Sequence, residues 1–184
     1  MRSQKGFTLV ELLVAMAIAG IVMAAGYSMY ISQQKAYQTT EDVVALQQNL
    51  RSGMYFIEHD MRMAGYNPTR SSQAFSFTDV ASNRCTFLRD DLETPDGVLQ
   101  NETERITYFL SGNTLRKGFG LNPDNNNQTI ADNITGLSFT WYNKDGNPAV
   151  NVTEIRSVEV ILTGTDGRHT RQLSSMINCR NMGL

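Results

Sequence analysis

The chain has 184 residues, of which 41% are hydrophobic and 18% charged, and its formal net charge is -2. That length holds one modest domain plus one further element. Sixteen Lys and Arg against eighteen Asp and Glu leave no basic excess, which argues against nucleic acid as a main partner, because neutralising phosphates needs clustered cations.

The chain opens with a short basic tail, MRSQKG, that ends in glycine. From Phe7 to Ile31 only Glu11 is charged. A helix over that run is about 37 Å long at 1.5 Å per residue, enough to cross a hydrocarbon core of ~30 Å. No proline precedes Pro68, so nothing removes a helical N–H. Gly20 and Gly26 permit close helix approach, but their spacing of six is not GxxxG. Arg2 and Lys5 ahead of the run predict a cytoplasmic amino end. An ordinary secretory signal is cut after small residues on the far side of its apolar core. Here Gly6 stands before the core, so a cut at that glycine leaves the helix on the mature chain. Glu11 then needs a reason, because a lone carboxylate in hydrocarbon costs about 2.5–3.5 kcal/mol on insertion scales.

The stretch KGFTLVELLVAMAIAGIV resembles the processing site of type IV prepilins and of type II secretion pseudopilins. The resemblance implies cleavage between Gly6 and Phe7 by a membrane aspartic peptidase, and methylation of the new Phe7 amine by the same enzyme. It also implies an assembly role for Glu11, four residues after that amine. When such helices pack side by side in a filament, Glu11 of one subunit can face the Phe7 amine of a neighbour. Removing one partner of a buried ion pair costs about 3–5 kcal/mol, so the pair acts as a device for axial register. Residues 1–6 are then the leader and 7–31 the membrane and filament-core half of the helix.

Beyond Ile31 the chain becomes polar but keeps a helical period. Val43, Leu46, Leu50, Met54, Ile57, Met61 and Ala64 recur at steps of three or four, the mark of one apolar helix face. Gly65 and Pro68 supply the stop signal. One helix from Phe7 to Ala64 is about 87 Å long, too long to lie wholly within a domain of this size, so the first half is expected to project and the amphipathic half, 32–66, to line a head. The segments DMRMAGYNP and SSMINCRNMGL resemble those of the PilW family of minor pilins, and the J-type minor pseudopilins share the layout. The resemblance implies an α+β pilin-like lollipop, with one long N-terminal helix packed on a C-terminal antiparallel sheet.

Residues 67–184 form that β-rich head. AFSFT, RCTFL, ERITYFL, TGLSFTWYN, EIRSVEVILTG and TRQLSSMIN read as strands. Ser111-Gly112-Asn113, Asp145-Gly146-Asn147 and Asp166-Gly167 read as turns, and NPDNNNQTIADN as a surface loop. Cys85 and Cys179 both fall in the region expected outside the cytoplasm, where one disulfide between them is compatible with the compartment.

No HExxH, CxxC, GxSxG or phosphate-loop pattern occurs. No catalytic residue, cofactor or metal is therefore assigned. His59 reads as a partly exposed helix residue and Trp141 as a core or sheet-face aromatic. Tyr27, Tyr30 and Tyr37 fit an interfacial belt. The expected protein is a non-enzymatic, PilW-like minor pilin of a bacterial type IV pilus. Its expected partners are other major and minor pilins, the prepilin peptidase, the inner membrane and the pilus assembly machinery, with no nucleic acid. Before assembly it is a single-pass inner-membrane protein with a periplasmic head; afterwards it sits in the filament or at its tip. The alternatives are a J-type minor pseudopilin of type II secretion, or a filament-borne adhesin or DNA-uptake receptor.

Overall fold

Helix α1 runs from Leu9 to Arg62 without interruption. The computed structural model describes residues 6–73, 75–91, 93–100 and 103–182; of the expected leader, Met1–Lys5 lie outside the described residues. The chain falls into two compact units, Met1–Asp42 and Val43–Leu184.

In the first unit the side chains of α1 are exposed, apart from the half-buried Ile31 and Thr39. The apolar residues there point in all directions around the helix, a pattern that needs hydrocarbon or other helices for cover. By length and composition this helix can cross a membrane.

In the second unit the same helix shows the predicted stripe. Leu46, Leu50, Met54, Ile57 and Met61 are buried. The helix stops because Gly65 adopts φ +78°, a conformation that glycine enters without a Cβ penalty. The Gly65 N–H then donates to the Leu88 carbonyl at 2.9 Å, anchoring the end of the helix to a strand.

Two antiparallel sheets complete this unit. The first contains β1 (Phe77–Val80), β2 (Arg84–Leu88), β3 (Arg105–Ser111), β4 (Thr114–Phe119) and β5 (Asn127–Asp132), in sequential order. The second contains β6 (Ile134–Tyr142), β7 (Ser157–Thr165) and β8 (Thr170–Asn178). One core joins the helix stripe to Ile106, Tyr108 and Leu115 of the first sheet and Val158, Val160 and Leu162 of the second. Gly53 is a point of close approach: a Cβ there would lie 2.9 Å from Leu115 Cδ2 and 3.4 Å from Leu162 Cδ1. Burying each such large apolar side chain contributes about 1.5–3 kcal/mol. Trp141, half-buried against the core, packs edge-on against Phe77 at 5.0 Å and stacks on Phe139 at 5.6 Å.

Three expectations are corrected. NPDNNNQTIADN is not a loop throughout, because Asn127–Asp132 is strand β5. It lies at an edge and buries only Ala131, so its sequence carries almost no apolar signal. Strand β4, TLRKGF, was not expected, because its inward positions include Lys117, 8% exposed. The strands also divide into two sheets rather than one. The predicted turns hold: Gly112-Asn113 joins β3 to β4 across the Ser111–Thr114 pair, and Asn143 closes the Asp145–Asn147 turn by accepting the N–H of both residues.

Candidate functional site

The segment singled out by the sequence begins outside the helix. Gly6, Phe7 and Thr8 precede the helix, and Phe7 is 89% exposed. The Gly6–Phe7 peptide is therefore neither wrapped into α1 nor covered. Thr8 occupies the N-cap position. Its N–H and its hydroxyl both donate to Glu11 Oε2 at 3.0 Å, and Glu11 N–H donates back to Thr8 Oγ1 at 3.3 Å. This is a capping box. The T-x-x-E pattern was present in FTLVE, yet only the structure shows that Glu11 serves its own helix as well as carrying an isolated charge. Because Oε2 takes both of these bonds, Oε1 is left outside the box.

Around Glu11, Val10, Leu12 and Leu13 are all more than half exposed. The carboxylate thus stands on an apolar surface that must be covered by lipid or by other helices. Within the described residues of this unit, Glu11 is the sole acid before Glu41.

The other sequence candidates lie in the second unit. Cys85, in β2, and Cys179, just after β8, are both buried free thiols. Burial, reinforced by Cys179 itself, pushes the Cys85 thiol well above its ordinary value, and burial pushes Cys179 up to about 12. His59 is exposed and stacks on Tyr55 at 6.2 Å. His169 lies 3.1 Å from Asp166 in the β7–β8 turn.

Sequence reasoning missed two buried polar groups. Asp60, on α1, contacts Lys117 Nζ and Tyr108 OH, both at 2.5 Å. Burial raises the Asp60 carboxyl, but Lys117 and Tyr108 outweigh it and hold the pKa below the usual carboxylate range. No spacing links these residues, since Asp60 is 57 positions from Lys117. The second group is Asp90, Asp96 and Glu104, whose carboxylate oxygens lie within 4.8 Å of one another. Asp90 and Glu104 are buried. Backbone N–H groups account for them: Asp91 and Gly97 donate to Asp90, and Asp91 and Gln100 donate to Glu104. Burial and the neighbouring Asp90 raise the Glu104 pKa despite those donors. The arrangement staples the segment between β2 and β3.

Known proteins resemble both units. Residues 1–27 match the prokaryotic N-terminal methylation motif, and residues 39–179 match prepilin peptidase-dependent protein B. The pilin-like protein PilA3 of Thermus thermophilus is 29% identical over 170 residues, covering 78% of this chain and 69% of that protein. An apolar helix opened by a methylation motif, continued by a helix-on-sheet unit that matches over most of its length, leaves one assignment: the chain belongs to the prepilin peptidase-dependent protein B family, within the type IV pilin superfamily.

Proposed function

We propose that the chain is a PilW-like minor pilin, cleaved between Gly6 and Phe7, methylated on the Phe7 amine and incorporated into a type IV pilus, where it helps to initiate assembly. Residues 7–31 form the membrane and filament-core half of the helix, 32–66 the amphipathic half and 67–184 the periplasmic head. Cys85 and Cys179 are joined after export. Before assembly, the inner membrane holds the helix with its amino end in the cytoplasm.

The observation that carries this reading is Glu11. It is an acid on an apolar helix surface with no cation paired to it among the described residues, four residues beyond an exposed glycine–phenylalanine bond. Cleavage at that bond creates a cation, and a neighbour's amine neutralises the acid only at one axial stagger. The capping box adds a second, local use, and the two uses can be separated.

Glu11→Ala removes the charge and the carboxylate half of the capping box, whereas Thr8→Ala removes the hydroxyl half, at about 1 kcal/mol, and keeps the charge. Immunoblots of sheared pili are expected to lose the Glu11→Ala protein and retain the Thr8→Ala protein, with both still inserted in the membrane. Equal incorporation of the two would remove the register role. Deleting the gene separates pilus from secretion: loss of surface pili supports this reading, while loss of secreted enzymes with pili intact supports the J-type alternative.

A further inference from the structure

The outer face of the first sheet carries a groove of about 520 Å³. One cross-strand row forms its floor. Arg84 of β2 pairs with Phe109 of β3, which pairs with Arg116 of β4. Residues that pair directly across neighbouring strands lie on the same face, so the aromatic residue is flanked by two guanidinium-bearing side chains. Their sequence neighbours Cys85, Tyr108 and Leu115 are buried in the core, as strand alternation requires.

The segment between β4 and β5 builds the wall. Pro123 covers Gly118, where a Cβ would meet it at 2.4 Å. Asp124 places its two oxygens 3.2 and 3.4 Å from the two terminal nitrogens of Arg84. Asn127 accepts from Arg116 Nη1 at 2.8 Å and donates back to the Pro123 and Asp124 carbonyls. Arg84 also lies over the Phe109 ring, 4.9 Å from its centroid.

Arg116 Nε is buried and has no hydrogen-bond partner among the described residues. A buried N–H of a charged group without an acceptor is costly. Of the charged residues lining the groove, Arg84 and Arg116 are positive and Asp124 negative, so one positive charge remains. A guanidinium edge matches a carboxylate in shape and can hold it by two parallel bonds. The Arg84–Asp124 fork already shows that geometry in this groove.

We propose that this groove is a binding site for a carboxylate-bearing ligand, held by the Arg116 guanidinium beside the Arg84–Asp124 pair. The single residual charge favours a monovalent carboxylate over a phosphate dianion. Asp124 is the internal competitor: it occupies one guanidinium and leaves the other for the ligand.

The test uses the full chain in detergent micelles at constant sodium chloride. N-acetyl-glutamate N-methylamide, whose side chain is its only charge, is titrated while the Arg116 Nε–H resonance is followed by NMR. The glutamine analogue and inorganic phosphate are run alongside. A saturable shift with the glutamate probe is expected, with at least tenfold weaker responses to the other two. Arg84→Gln and Arg116→Gln are each expected to weaken binding at least tenfold, read from the Asn127 backbone amide, with the circular dichroism of the folded protein retained. Arg116→Lys keeps the charge but not the fork, and is expected to lose most of the affinity. Asp124→Asn removes the competitor and is expected to tighten binding several-fold. No saturable shift, an equal response to the glutamine or phosphate probes, or undiminished binding to Arg116→Gln or Arg116→Lys would each overturn the site.

Discussion

Lys117 Nζ lies 2.5 Å from Asp60 Oδ2, and the pair joins the middle of β4 to the last turns of α1 inside the protein. Tyr108 completes the join. Its hydroxyl is 2.5 Å from the same carboxylate oxygen and 3.1 Å from the Phe56 carbonyl. Burial first, and then Asp60, push the phenol far above its ordinary value, so it stays protonated and donating across the accessible pH range. Helix and sheet are therefore held by directional contacts as well as by apolar packing.

Cutting either side of this pair leaves a buried charge without its partner. Lys117→Met and Asp60→Ala are each expected to destabilise the protein by about 3–5 kcal/mol. The double variant Asp60→Leu/Lys117→Met is expected to recover much of that, because a well-packed apolar replacement is often neutral. Denaturant unfolding of the three variants checks this; equal losses in singles and double would remove the ion pair as the cause.

The same carboxylate gives the fold an acid sensitivity with a defined sign. The folded pKa of Asp60 is lowered. Its contribution is present above the unfolded-state value and is lost as pH falls through the folded one. Unfolding free energy measured from pH 7 down to 2 should therefore fall more steeply below pH ~4 for the parent chain than for Asp60→Asn. Parallel curves would count against the linkage.

Gly118 is a tight spot of a different kind. The neighbours of an added Cβ include Pro123 O at 2.7 Å and Pro123 Cα at 2.8 Å, so backbone must move. Gly118→Ala is expected to destabilise by about 1–3 kcal/mol, as overpacking does. It should also lift the β4–β5 segment away, raising hydrogen exchange at Asn125 and Asn126. Unchanged exchange there would mean the clash is relieved elsewhere.

The β7–β8 turn depends on Asp166. His169 and Arg168 N–H groups, and then the His169 ring, hold its pKa down to about 2. Asp166→Ala should speed amide exchange at Arg168 and His169 while leaving the melting temperature almost unchanged, because the bonds Asp166 accepts all come from within the turn. In the parent chain the same protection should persist until pH approaches 2. A large global loss of stability would show that the turn supports more than itself.

Pairing of Cys85 with Cys179 is tested by counting thiols. Protein recovered from an oxidising compartment, denatured without reductant, is expected to show no reactive thiol, the two electrons having passed to that compartment's thiol oxidant. Reduction should then lower stability by at most ~4–5 kcal/mol, the chain-entropy limit for a closed loop of about 95 residues. Two titratable thiols in the unreduced sample would exclude the bridge.

Much of this protein was settled by local pattern. The apolar run after Gly6, the lone Glu11 within it and the three-and-four spacing from Leu46 to Met61 are one-dimensional signals, because one helix face is set by sequence separation alone. The helix end at Gly65 and the strands around Phe87, Tyr108, Phe139, Val160 and Ile177 were legible for the same reason. What tertiary structure alone decided are relations between residues far apart in sequence. Lys117 looks like a surface residue until Asp60 and Tyr108 close around it, so β4 was hidden. β5 is an edge strand with little to bury, so it had no apolar alternation to show. The row Arg84–Phe109–Arg116 exists only through strand register, which depends on the turns and on the burial of the opposite sheet face.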